Sequence, residues 1–253
     1  MRTIYTILSA LLLVINFAIA QDTLYIYKSG SVVTKRAVND IDSVIFYKAN
    51  DLPQGNTVMD IDGNIYNIVT IGSQKWLKEN LKTTHYNDGT LIPLISDSPT
   101  WGSQTNPAYC WYNNDEVSYK IPYGALYNWY AVNTNKVCPT GWHVPTLSEF
   151  SILFLYVNGK GCSLGDGLKE VGSDHWGISN TGNNSSGFTA VPGGSRWYSD
   201  GEFDYITLSA YFWSNSIYDT KTAYCSNISN TSCASAYNYT GKASGKSVRC
   251  IKN

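Results

Sequence analysis

The sequence is short of net charge, of histidine and of long apolar runs, and each shortage removes a class of function. Lys and Arg number 18 against 19 Asp and Glu, for a net charge of -1. No cluster of Lys and Arg marks a phosphate-binding face, so nucleic acid is not an expected partner. The only histidines are His85, His143 and His175. His143 stands between Trp142 and Val144 in a proline-flanked stretch, which suits scaffold more than a Ser-His-Asp arrangement. No Gly-x-Ser-x-Gly elbow occurs, and the absence of Cys-x-x-C weakens both zinc and thioredoxin-like readings. The acids Glu149, Asp166, Glu170, Asp174, Asp200, Glu202 and Asp204 are scattered, with no recognisable carboxylate-pair motif for glycoside cleavage. No catalytic residue, no metal ligand and no cofactor is therefore expected.

Past the N-terminus no stretch approaches the ~18 consecutive apolar residues of a membrane span. The N-terminus itself is informative. Arg2 precedes an apolar run from Ile7 to Phe17 that closes on Ala18-Ile19-Ala20 and gives way to Gln21-Asp22. This reads as a signal peptide over residues 1–20. No cysteine follows the cleavage point, so an exported protein without a transmembrane span or N-terminal lipid is expected, whether secreted, periplasmic or surface-associated. In an oxidising compartment the six cysteines, Cys110, Cys138, Cys162, Cys225, Cys233 and Cys250, point to disulfides. Six cysteines allow fifteen pairings, and sequence alone does not choose among them.

Residues 21–48 form a small β unit in this reading. Thr23-Leu24-Tyr25-Ile26-Tyr27 alternates, Val32-Val33 begins a return, and Ser43-Val44-Ile45-Phe46-Tyr47 is a third run. Residues 49–57, with Pro53 and Gly55, are a linker. The main domain, 58–253, opens on Asp62-Gly63-Asn64, a hairpin turn. Asp60, Asp62 and Asn64 alternate as in an EF-hand, but Gly63 falls at the fourth position and Ile71 at the twelfth, so a turn is preferred to a calcium loop. Residues 89–109, with Pro93, Pro99 and Pro107, look like an irregular surface excursion. Leu126, Trp129 and Tyr130 share a helical face within 124–132. Thr146 and Glu149 form a capping box that opens a second helix over Leu147 to Tyr156. Beyond Gly159 the pattern is loop and short strand, including Ala210-Tyr211-Phe212-Trp213-Ser214, and the fold class expected is α+β.

Taken together, Asp62-Gly63-Asn64, Trp76-Leu77-Lys78-Glu79-Asn80-Leu81, Tyr86-Asn87-Asp88-Gly89, Tyr123-Gly124-Ala125-Leu126-Tyr127-Asn128-Trp129, Cys138-Pro139-Thr140-Gly141-Trp142-His143-Val144-Pro145-Thr146, Phe212-Trp213-Ser214 and Val248-Arg249-Cys250 resemble the Fibrobacter succinogenes major paralogous domain of secreted Bacteroidetes-type proteins. That family looks related to the C-type-lectin-like and formylglycine-generating-enzyme folds. The resemblance implies a C-type-lectin-like domain with two helices, short antiparallel strands and long loops. It also implies a bridge from Cys138 to Cys250, contributing ~2–4 kcal/mol. Cys225 with Cys233, and then Cys110 with Cys162, complete the expected set. The lectin tripeptides Glu-Pro-Asn, Gln-Pro-Asp and Trp-Asn-Asp are absent, which removes calcium-dependent sugar binding. The formylglycine-generating comparison offers a thiol oxidase using Cys225 and Cys233, and an envelope structural component is a further alternative. The preferred reading is a non-catalytic recognition module for a polysaccharide or a cell-surface protein. Aromatic rings in loop-like stretches, Trp111, Tyr112, Trp197 and Tyr198, are its candidate ligand contacts.

Overall fold

The computed structural model describes residues 23–28, 31–37, 55–159, 165–177, 179–230 and 234–253. The chain divides into two units, Met1–Asp51 and Leu52–Asn253. In the first, β1 (Thr23–Lys28) pairs antiparallel with β2 (Ser31–Ala37), with a register shift between Ile26 and Tyr27. The run Ser43 to Tyr47 and the leader over residues 1–20 lie outside the described residues.

The second unit is mixed and sheet-rich. It opens with β3 (Thr57–Met59) and β4 (Ile65–Ile71), paired antiparallel across the Asp62-Gly63 turn. Asp60 builds that turn. Its carboxylate accepts the Asp62 and Asn64 N–H groups at 3.0 and 2.9 Å, the Asn64 amide at 2.8 Å and the Tyr66 hydroxyl at 2.6 Å. Four donors occupy about the four lone-pair sites a carboxylate has, so Asp60 organises backbone. β4 continues into β5 (Gln74–Leu77) through Gly72, whose φ of 59° suits glycine. The last strand, β14 (Ile251–Lys252), lies between β5 and β8 (Trp142–His143), giving the order β3-β4-β5-β14-β8.

A second five-stranded sheet holds β9 (Gly193–Arg196), β10 (Phe203–Ile206), β11 (Ser209–Ile217), β12 (Thr222–Ser229) and β13 (Ser235–Gly241), in the order β10-β9-β11-β12-β13. A two-stranded pair joins β6 (Tyr109–Cys110) to β7 (Leu126–Tyr127). Among the described residues four α-helices accompany these sheets: α1 (Ser98–Gly102), α2 (Glu116–Tyr123), α3 (Trp129–Val132) and α4 (Leu147–Asn158). The capping box at α4 is present as read from sequence. The Thr146 hydroxyl accepts the Glu149 N–H, and the Glu149 carboxylate accepts the Thr146 N–H. Phe150, Leu153 and Phe154 then pack with Trp76, Phe188, Ala210, Phe212 and Ile228 in one buried cluster.

The helix expected over 124–132 is mostly not helix. Leu126 and Tyr127 pair as a strand with Cys110 and Tyr109, and α3 begins only at Trp129, where the Asn128 side chain caps it by accepting the Ala131 N–H. Sheet pairing overrode the apolar spacing. α1 and α2, not read from sequence, start at Asp97 and Asp115, whose carboxylates accept the N–H groups of Thr100 and Ser118.

Two fully buried arginines bind loops to the sheets. Arg249 donates to Asn80 Oδ1 from Nε (3.1 Å) and Nη2 (2.6 Å), and from Nη1 to the carbonyls of Leu77 (3.2 Å) and Phe188 (2.6 Å). Its guanidinium lies 4.5 and 5.4 Å from the ring centres of Phe188 and Phe212. Burial lowers its pKa to about 9, which still leaves it protonated at pH 7. Arg196 donates to the carbonyls of Gly201, Ile95 and Ser96, each at 2.7 Å, between the rings of Trp101 and Phe203. Next to Arg249, Cys250 is bridged to Cys138, 112 residues away.

Arg249→Lys should lower unfolding free energy by about 3 kcal/mol, because buried acceptors lose their donors. Replacing both Cys138 and Cys250 by Ser should cost ~2–4 kcal/mol. Urea unfolding with tryptophan fluorescence as the readout measures both, and an unchanged midpoint for either would refute its assigned role.

Candidate functional site

Strand alternation sends successive residues to opposite faces of a sheet, and β11 and β12 sort their side chains accordingly. Ala210 and Phe212 on β11, with Ile228 on β12, face the α4 cluster. Tyr211 and Trp213, paired across to Asn227 and Cys225, belong to the other face. That face carries a groove of about 320 Å³, lined by Ser195, Trp197, Tyr205, Tyr211, Cys225, Asn227, Asn238, Tyr239, Thr240 and Lys246.

The aromatic wall runs through three rings. Trp197 and Tyr205 have ring centres 6.2 Å apart, and Tyr205 meets Tyr211 edge-on at 5.8 Å. All three are half-buried, each presenting part of its ring to solvent. Tyr205 has φ 64°, a left-handed region uncommon for a bulky side chain. Asp204 supports it, its carboxylate accepting the Tyr205 N–H at 2.7 Å. Opposite, the Asn238 amide donates to Asn227 Oδ1 at 3.0 Å.

The floor holds Cys225 and Lys246. Lys246 is fixed through its backbone, which exchanges hydrogen bonds with Tyr127 at 3.0 and 2.9 Å, and its Nζ sits 4.1 Å from the Tyr211 ring centre and 5.9 Å from that of Trp213. Burial lowers the Lys246 pKa, partly opposed by Cys225. Burial raises the Cys225 pKa, partly opposed by Lys246. Both shifts work against a thiolate–ammonium pair at neutral pH.

The four ring residues proposed from sequence are thus separated. Trp197 lines the groove. Tyr198 is exposed next to it, its ring lying against Gly241, where an added Cβ would come within 2.5 Å of the ring. Trp111 and Tyr112 are corrected to core: Trp111 packs edge-on to Tyr109 at 5.5 Å, and Tyr112 lies 5.1 and 5.2 Å from Tyr119 and Phe203. Pairing of β6 with β7 draws this stretch inward. Of the cysteines, Cys138 and Cys250 are bridged as the family resemblance implied. Cys110 and Cys225 are buried free thiols, and the residues expected to pair with them, Cys162 and Cys233, lie outside the described residues.

Each histidine meets a carboxylate. His85 Nδ1 lies 2.6 Å from Asp62, and His175 Nδ1 lies 2.6 Å from Glu170. His143 uses both nitrogens, Nε2 on Glu149 at 2.9 Å and Nδ1 on Asn253 at 2.7 Å. That ties the capping box to the C-terminus. His175 and Glu170 border a second groove of about 370 Å³ with Lys78, Lys82, Ile121 and Arg249. Tyr205, Asn227, Asn238 and Lys246 went unread in the sequence, although the alternation of Tyr211 and Trp213 around Phe212 was a signal of a two-faced strand.

The architecture defines a disulfide-bridged, sheet-rich domain of mixed α and β structure with an aromatic groove on one sheet face. Residues 69–252 match the family described as the Fibrobacter succinogenes major domain, and the chain belongs to that family. No curated protein and no solved structure matches the chain. No helix among the described residues is long and apolar enough to cross a membrane.

Burial pushes the Cys110 thiol up to about 12, and Cys225 is raised in the same direction. Alkylation at pH 8 and subsequent peptide mapping should therefore show label on neither in the native chain and on both after denaturation. Rapid native labelling of Cys225 would contradict its place in the buried groove floor.

Proposed function

We propose that the second unit is a non-catalytic recognition module of an exported protein, built on a C-type-lectin-like frame, that takes a sugar unit of a polysaccharide into the groove on β9–β13. The carrying observation is the run of half-buried rings Trp197, Tyr205 and Tyr211 facing the amides of Asn227 and Asn238. Aromatic faces cover the apolar side of a pyranose, and amides both donate to and accept from its hydroxyls. The groove volume falls at the small end of ligand pockets. The site lies on a sheet and is backed by a packed core, so little ordering is needed on binding.

A thiol oxidase of the formylglycine-generating type is the second reading, favoured by one observation: Cys225 is free and lines this groove. Its burial and raised pKa weigh against it as a nucleophile, because the thiolate is the reactive form.

Glycan-array screening of the full chain, with calorimetry on whatever binds, tests the proposal. Trp197→Ala and Tyr211→Ala should each weaken binding by about tenfold or more, the size of an anchor residue's contribution. If no glycan binds, or if both variants bind as tightly as the parent, the proposal fails.

A further inference from the structure

Buried cations in this domain find acceptors, with one exception. Lys169 Nζ lies 2.9 Å from Asp166 and 3.2 Å from the Thr181 hydroxyl. Lys242 Nζ donates to the carbonyls of Asp219 and Thr220 at 3.0 and 2.9 Å. Arg196 and Arg249 are each met by several oxygens. Lys246, only 5% exposed, has two aromatic faces and no carboxylate or hydrogen-bond acceptor among the described residues. With no protein acceptor, its Nζ keeps its contact with solvent through the groove, so a ligand's acceptor can take the place of water there. Lys246 lines the groove, where the other lining side chains are neutral: Ser195, Trp197, Tyr205, Tyr211, Cys225, Asn227, Asn238, Tyr239 and Thr240.

From this geometry we propose that Lys246 is the specificity residue of the groove and receives the carboxylate of an acidic sugar, a uronic acid unit of a polysaccharide. The inference rests on the sugar-binding reading of the same groove. One cation among neutral walls matches one negative charge, and the rings of Trp197, Tyr205 and Tyr211 set beside it suit a flat pyranose. A free inorganic anion would leave those rings without a partner.

The experiment is calorimetry on the full chain with four probes: trigalacturonic acid, its methyl ester, a neutral trisaccharide and a sulfated trisaccharide. The acid should bind at least about tenfold more tightly than its ester, as expected for a hydrogen bond to a charged group. Lys246→Met should remove that difference between acid and ester. The acid and ester comparison uses the unaltered chain, so it decides the matter independently of how the variant folds. Equal affinity for acid and ester overturns the role of Lys246 and leaves sugar recognition standing. Binding of the sulfated probe alone overturns the carboxylate assignment. Failure of all four probes in a chain that also binds nothing on the glycan array overturns both readings.

Discussion

The guanidinium of Arg249 is the constraint on which the rest of the second unit depends. It is fully buried, and its acceptors are neutral: the Asn80 amide oxygen and the carbonyls of Leu77 and Phe188. Leu77 ends β5 of the first sheet. Phe188 and Phe212, which lie against the cation and edge-on to each other at 5.8 Å, belong to the cluster beneath the second sheet. One side chain thus ties the two sheets together, and the adjacent Cys250 ties the same point to Cys138. A buried carbonyl left without a donor is costly, so the arginine stabilises the domain by serving the acceptors of Leu77, Asn80 and Phe188.

With Phe212 held there, the pleat of β11 determines which side chains face the groove. Phe212 points to α4, so Tyr211 and Trp213 point away. Trp213 is locked by its indole N–H donating to the Tyr127 carbonyl at 2.7 Å, and Tyr127 also pairs through its backbone with Lys246. The chain of constraint therefore runs from Arg249 through Phe212 and Trp213 to Tyr127 and Lys246. Arg196 does the same for the other wall, fixing residues 95–96 and Gly201 next to Trp197. A site assembled in this way is stiff, and stiffness favours recognition by preorganised surfaces.

Much of the frame was legible in the sequence because its signals are local. The Asp62-Gly63 turn, the Thr146 and Glu149 capping box and the first hairpin each depend on residues within a few positions of one another. The Leu126 stretch was misread because its apolar spacing fits a helix, whereas its partners, Tyr109 and Lys246, are distant in sequence. The same distance explains Trp111 and Tyr112. Proline-rich surroundings suggested surface, while pairing with β7 put both rings in the core.

The groove was the least legible part, and the reason is electrostatic as well as topological. A net charge of -1 averages away a lone cation, and nothing within Gly245-Lys246-Ser247 itself marks a buried lysine. Only when β12 pairs with β11 and β13, and the segment before Val248 closes against Tyr127, does Lys246 become buried beneath Tyr211 without an acceptor. Its environment is created by segments spread over residues 195–246 together with Tyr127. A charge in such a place is defined by what the fold withholds from it, and that is a property of the assembled sheet that no stretch of sequence carries by itself.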